Sequence, residues 1–355
     1  LKYWDIGKGS YLSDGKAGMS SGKNITERLF SVFARANYAY RDKYLLSASI
    51  RHEGSSKFSA DNRWANFWSA SAGWRISKEN FMKEVKWVDD LKVRFGYGVT
   101  GNNDFDASYM ADMLGSDTYW MLPNGEWAYS FGKTQNVNRN LGWEEKKEWN
   151  LGVDYSLFGN RLYGKFDYFK RTIDNLIYEV AVPQPPYTQN TQWQNIGSME
   201  VKGWEFEVGG DIIRTKDFVW SSNLNLSHNS GKIATLWGNN TYKNGNGFVA
   251  PGSPGDAARM EEGSTIGSFY IWKFAGFDDE GNFLLYDKDN NVIPAKDKTE
   301  NDKRYVGNYT PKLIVGWSHT FTYRNFDLGV NLRSWIDFDV YNTINMYYGI
   351  QGQGN

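Results

Sequence analysis

Between Leu29 and Thr100, apolar and polar side chains alternate with a period of two in four successive runs. In the first run Phe30, Val32, Ala34, Ala36, Tyr38 and Tyr40 share one parity, opposed by Ser31, Arg35 and Asn37. After Arg41-Asp42-Lys43 the pattern returns in Tyr44, Leu46, Ala48 and Ile50, then in Trp64 to Ser77 and Leu91 to Thr100. Period two sends successive side chains to opposite faces of a strand. Runs of about ten residues with one apolar and one strongly polar face are what a tilted strand between hydrocarbon and water requires.

The same alternation recurs in Trp149 to Leu157, Leu162 to Tyr178, Trp204 to Ile212, Val219 to His228, Leu313 to Tyr323 and Phe326 to Arg333. It predicts about ten antiparallel membrane traversals, and the connections between them sort by length. Arg41-Asp42, Phe158 to Arg161, Arg214 to Asp217 and Arg324-Asn325 are short, whereas His52 to Arg63, Gly101 to Glu144, Ala181 to Glu200 and Asn229 to Thr310 are long. Outer-membrane barrels have this asymmetry, with turns on the periplasmic side and loops outside. Ser77 to Asp90 departs from it, being too long for a turn. There Ser77 is expected to cap a short helix with Phe81, Met82 and Val85 on one face, closing the barrel rim. Within Asn229 to Thr310, Ile266 to Phe277 and Asn282 to Tyr286 predict an extra hairpin at the barrel mouth.

Composition supports a membrane barrel rather than two soluble domains. The 355 residues are 40% hydrophobic, with no run near the ~20 apolar residues a membrane helix needs. Yet 17% are aromatic, including 16 Trp and 23 Tyr, which suits two interfacial girdles. The polar parities carry Arg, Lys, Asp, Glu and Asn, which a dry interior would not tolerate unpaired, so the inside is wet and the barrel wide. A net charge of −1 gives no case for nucleic acid. The absence of cysteine and the scatter of His52, His228 and His319 leave no nucleophile–base pair and no Cys-based metal site. The chain opens at Leu1 in a polar stretch and ends in a Gly/Gln/Asn tail, and is expected to be an internal piece of a longer protein.

Several runs resemble SusC/RagA-type TonB-dependent outer-membrane transporters. They are Asp42 to Arg51 followed by Gly54-Ser55-Ser56-Lys57-Phe58, Arg63-Trp64, Ser71 to Ser77, and Leu91 through Asn102. Gly267-Ser268-Phe269-Tyr270, Gly307 to Lys312 and Asn325-Phe326-Asp327-Leu328 continue the likeness in the same order. The resemblance implies an all-β fold, with about ten strands of a 22-stranded antiparallel transmembrane barrel in residues 1–355 and the plug domain outside this stretch. It further implies the outer membrane of a Gram-negative, Bacteroidetes-like cell and a SusD-like surface lipoprotein as lid. Energy would come from the TonB complex through the missing N-terminal part, and the cargo would be oligosaccharide or peptide. No cofactor and no enzyme activity are implied.

For ligand contact the best candidates are loop aromatics: Tyr119, Trp120, Trp127 and Tyr129, then Tyr187 and Trp193, then Trp237 and Tyr242. Flat rings offer apolar area at little entropic cost, which suits sugar faces or peptide side chains. The competing role is packing the loops together or meeting the lid. Tyr38, Tyr40, Tyr44, Trp74 and Tyr97 are assigned to the interfacial girdle. Glu144, Glu145, Glu148, Glu261 and Glu262 read as solvated charge rather than acid–base pairs. Asp278 to Gly281 and Asp287 to Asn291 read as polar turns rather than calcium loops; Asp287 to Asn291 has oxygen ligands at alternate positions but lacks the glycine and the distal bidentate glutamate. The leading function is part of a TonB-dependent importer. The alternative is a soluble or surface-displayed β-rich glycan-binding module.

Overall fold

The computed structural model describes residues 27–112, 114–236, 242–244, 257–342 and 344. Its main body is one ten-stranded sheet in which every strand pairs antiparallel with its sequence neighbour among the ten. The strands are β1 (Leu29–Tyr40), β2 (Tyr44–Ser55), β3 (Trp64–Arg75), β4 (Val88–Asn102), β5 (Glu144–Leu157), β6 (Leu162–Asp174), β7 (Ser198–Arg214), β8 (Phe218–Thr235), β9 (Leu313–Tyr323) and β10 (Phe326–Ile336). The ten expected traversals are all present.

Their register joins ten separate alternations into one. Directly opposed residues share a face, and the pairs Tyr38–Leu46, Leu46–Ala72, Ala72–Phe95 and Phe95–Leu151 lead the apolar parity from β1 to β5. Val153–Phe166, Phe166–Phe206, Phe206–Leu226 and Leu226–Val315 carry it to β9, and Trp317–Leu332 to β10. A one-residue slip in any pair would have sent half the sheet's apolar groups to the other side. The apolar face is left uncovered by protein: Phe95 is 49% exposed, Leu151 45% and Leu328 59%. Ten residues at about 3.3 Å each, tilted by about 40°, span about 25 Å, the height of an outer-membrane hydrocarbon band.

All short connections lie at one end of the sheet. Arg41 (φ 52°) and Asp42 (φ 55°) form a turn closed by the Lys43 amide donating to Tyr40 O at 3.0 Å, with the positive-φ pair that matches strand twist. Phe158, Gly159 and Asn160 turn with φ of 58°, 68° and 62°, and Arg324 with 53°.

The connection between β3 and β4 differs from expectation. It holds two 3₁₀ turns, Ile76–Lys78 and Asn80–Met82, rather than one capped helix. Ser77 Oγ does not cap a helix but donates to Asp90 Oδ1 at 2.7 Å, and Phe81 is 64% exposed. The chain follows Glu79 instead. Its carboxylate accepts from Lys43 Nζ (2.8 Å), Tyr44 OH (2.8 Å) and Trp74 Nε1 (3.2 Å), which pins the connection beneath β2 and β3. Three such donors favour the ionised form, and the Glu79 carboxyl is held down at about 2 by Lys43 first, then Tyr44 and Trp74.

Strand boundaries also shift at the opposite end. The sixth strand stops at Asp174, and Ile177–Ala181 belongs to a separate hairpin with Thr191–Asn195. The expected hairpin of the long segment is present as Lys273–Phe277 with Phe283–Tyr286, extended by Val292–Pro294. This segment is tied to the long-loop end of β8, with Ile266 N donating to Gly231 O and Ile233 N to Ser264 O.

Candidate functional site

Two regions follow from this geometry, a wet wall and a packed mouth. On the polar face, Arg94 reaches across β5 to two carboxylates on successive strands. Its guanidinium donates to Asp154 (2.9 Å) and Asp167 (3.1 Å), while Lys92 Nζ lies 2.6 Å from Asp154. The crossing is possible because Gly152 sits opposite both Arg94 and Asp167. A Cβ there would lie 2.6 Å from Asp167 Oδ1 and 2.7 Å from the Arg94 guanidinium carbon. Further along, Arg171 pairs with Glu148 (2.6 Å) and Lys165 with Glu207 (3.2 Å), which also accepts from Asn223 Nδ2 (3.0 Å). Beside Arg94 a recess is lined by Asn37, Ser47, Ser71, Gly73, Gly96 and Asn150. Ion pairs strung on one face of a sheet, with hydroxyls and amides between, make a hydrophilic channel wall.

At the mouth the sheet splays. β3 and β4 pair only over Ser69–Arg75 and Lys92–Gly98, so Trp64–Trp68 and Val99–Asn102 separate above that point. Phe67 fills the gap, lying so close to β4 that a Cβ on Gly101 would be 2.0 Å from its ring. Phe58, Phe105, Leu141 and Trp143 gather on it to form the buried cluster, with Leu141 fully enclosed. Ring centroids are 5.1 Å apart for Phe58–Trp143 and 5.4 Å for Phe67–Trp143. Each such side chain contributes about 1.5–3 kcal/mol by leaving water. Polar links then lock the loops to one another. Lys57 Nζ donates to Phe105 O (2.8 Å), Ser59 Oγ to Arg139 O (2.6 Å) and Trp143 Nε1 to Arg63 O (3.1 Å). Asn136 Nδ2 donates to Gln189 O and Thr191 O, and Asn138 Nδ2 to Trp193 O.

The candidate aromatics are distributed over this frame. Trp193 stacks on Tyr109 at 4.3 Å and 12°, so one of its faces is covered by the loop core. Tyr187 lies half-buried in the same 175–197 loop. Tyr119 (55% exposed) and Trp127 (67%) lie on the hairpin Leu114–Met121 with Trp127–Lys133, whose backbone register pairs position 121 with 127 and 119 with 129. The backbones of Trp120 and Tyr129 lie in that hairpin, and that of Tyr242 in the short strand Tyr242–Asn244, but their side chains are outside the described residues, as is all of Trp237. Frame and hairpin join through Gln189 Nε2, which donates to Lys133 O (2.6 Å).

The two acidic turns bind their own backbone. Asp278 accepts from Glu280 N, Asn282 N and Asn282 Nδ2, and Asp287 from Asp289 N, Asn291 N and Asn291 Nδ2. Their oxygens are consumed closing the turns, and no cluster of three metal-ligating side chains occurs among the described residues.

Girdle aromatics lie at both ends of the apolar face. Tyr40–Tyr44 and Trp220–Phe321 mark the turn end, and Trp68–Tyr97, Trp149–Tyr168 and Trp204–His228 the loop end. The family model of the TonB-dependent receptor-like β-barrel matches residues 3–342. The chain belongs to this family. It is 32% identical over 322 residues to the TonB-dependent receptor SusC of Bacteroides thetaiotaomicron, covering 88% of this chain and 32% of that receptor. It is 33% identical over 341 residues to the TonB-dependent receptor P3 of Formosa agariphila, covering 91% of this chain and 33% of that one. The fold is also that of the RagAB peptide importer in its open-open state, with a TM-score of 0.76 at 24% identity, over 93% of this chain and 35% of that chain. This receptor barrel therefore lies in the outer membrane, with the apolar parity toward lipid and the ion-paired parity toward the lumen. The chain spans about a third of the length of the curated relatives it matches. Family and relatives are named as receptors, not for a catalysed reaction.

The resemblance of Asp42 to Phe58, Ser71 to Ser77 and the later runs to SusC/RagA transporters is thus a family relationship. Sequence reasoning missed the Arg94 cluster and the Phe67 wedge. Arg94, Asp154 and Asp167 were all legible on polar parities. Only the register, with Gly152 between them, shows that they meet.

Proposed function

We propose that residues 1–355 form part of the barrel of an outer-membrane importer. The parent takes up oligosaccharides or peptides, draws energy through TonB by its plug segment, and works with a SusD-like surface lipoprotein as lid. One observation carries this reading: a continuous apolar face runs over ten strands, backed by a polar face that carries ion pairs from β4 to β7, beneath loops packed around a buried aromatic cluster. A wall of that kind serves passage of hydrated cargo, because its polar groups line a water-filled path. The fold shared with a peptide importer supports the peptide class, and the oligosaccharide class follows from the resemblance to SusC/RagA-type transporters. Loop aromatics Tyr119, Trp120, Trp127, Tyr129, Tyr187, Trp193, Trp237 and Tyr242 are proposed as the contacts from which cargo side chains or sugar faces are recognised.

The test is uptake by cells carrying or lacking the parent gene, using fluorescent oligosaccharide and oligopeptide pools, with and without a proton-motive-force uncoupler. Accumulation of one pool that needs both the gene and the energised inner membrane is expected. Equal uptake of both pools in the deletion strain would reject the proposal.

A further inference from the structure

Above the outer aromatic girdle, the lipid-facing parity of β5 to β8 changes character. One row reads Leu151, Tyr168, Trp204, His228, the next Trp149, Lys170, Lys202, Ser230, and the one above Lys147, Thr172, Glu200, Lys232. Lys170 and Lys202 are directly opposed on neighbouring strands, an arrangement that destabilises a sheet unless an anion offsets it. The carboxylates present do so incompletely. Lys147 is held by Asp174 (2.9 Å) and Glu145 (3.3 Å). Lys170 (2.8 Å) and Lys232 (3.5 Å) share the single carboxylate of Glu200, and Lys202, which is exposed, has no carboxylate partner among the described residues. Three cations thus surround one anion on an outward face. They stand one to two rows above Tyr168 and Trp204, the level at which lipid headgroups meet water.

We infer that Lys170, Lys202 and Lys232, grouped about Glu200, form a docking site for a phosphate monoester carried by an outer-leaflet glycolipid. The phosphate bridges the opposed Lys170 and Lys202, and the acyl chains descend along Leu151, Phe166 and Phe206. Lysine suits a phosphate as a point charge with three rotatable donors, without the fixed fork that arginine would impose. A receptor so bound is held at a fixed depth, and its mouth is surrounded by ordered lipid. The inference rests on outer-membrane placement alone and is independent of what the pore carries.

The experiment uses the intact parent receptor in detergent micelles, titrated with diphosphorylated lipid A, its dephosphorylated form, or inorganic phosphate. Retained lipid is counted by native mass spectrometry. Heat-modifiable mobility verifies that every variant is folded. Lipid A is expected to bind at least tenfold more tightly than its dephosphorylated form. K170Q/K202Q should lose at least that tenfold, since both charged contacts to the phosphate go, while K170R/K202R and the turn-end control K216Q should keep it. Inorganic phosphate at millimolar concentration should not displace the lipid. The inference is overturned if K170Q/K202Q binds lipid A as the unmodified receptor does, or if K216Q weakens binding equally. It is also overturned if inorganic phosphate competes fully, which would make this a free-anion site.

Discussion

Leu224 and Asn225 are neighbours on β8 that face opposite solvents, which makes them a direct test of the barrel's orientation. Leu224 points to lipid between Val208 and Trp317, four residues from the girdle group His228 on one side and four from Trp220 on the other. Four residues at about 3.3 Å and a tilt of about 40° place it about 10 Å from either edge, near the midplane. Asn225 points to the lumen opposite Glu207 and Gly316, where a longer side chain finds open space and a carboxylate. Leu224→Arg should therefore cost about 2–4 kcal/mol, the penalty of a guanidinium on the lipid face at mid-depth. That lowers the folded-to-unfolded ratio by roughly 30- to 1,000-fold. Asn225→Arg should change stability by about 0.5 kcal/mol or less. Both are measured on the intact receptor in lipid vesicles, by urea titration followed through tryptophan fluorescence and heat-modifiable mobility. Equal costs for the two variants, or a neutral Leu224→Arg, would refute the assignment of faces.

Three further outcomes follow from named contacts. Gly101→Leu drives a side chain into Phe67 and should cost about 1–3 kcal/mol by overpacking, while Phe67→Ala should cost about 3–5 kcal/mol by cavity formation. In both, loops 56–63 and 134–143 should become cleavable by trypsin at protein concentrations where the unmodified mouth resists. Gly152→Val should expel Arg94 from Asp167, and a double-mutant cycle with Arg94→Gln should show coupling of about 0.5–3 kcal/mol, whereas additivity would sink the crossing described above. The Glu79 carboxyl is depressed from 4.5 to about 2, so its anchoring is complete above pH 4.5 and is lost as the pH falls toward 2. Hydrogen exchange of the 76–87 connection should rise over that window, and Glu79→Gln should abolish the pH dependence.

The alternation of Phe30 to Tyr40, Leu91 to Val99 and Phe326 to Leu332 determined ten strands, two faces and the sorting of turns from loops, because side-chain parity in a strand is a local property of consecutive residues. The girdle was legible for the same reason, as was the hairpin around Asp278 to Asn282. Where a short-range signal competed with a distant partner it misled: Ser77 has the chemistry of a cap, but Asp90 takes its hydroxyl, and the backbone turns in 3₁₀ steps toward Glu79. What the tertiary structure alone decided is which strands lie side by side and at what offset. That offset lets Arg94 pass Gly152 to reach Asp167, parts β3 from β4 so that Phe67 becomes a wedge, and sets Lys170 against Lys202. Such meetings depend on residues tens of positions apart, and nothing in either segment encodes the other's register until the sheet is assembled.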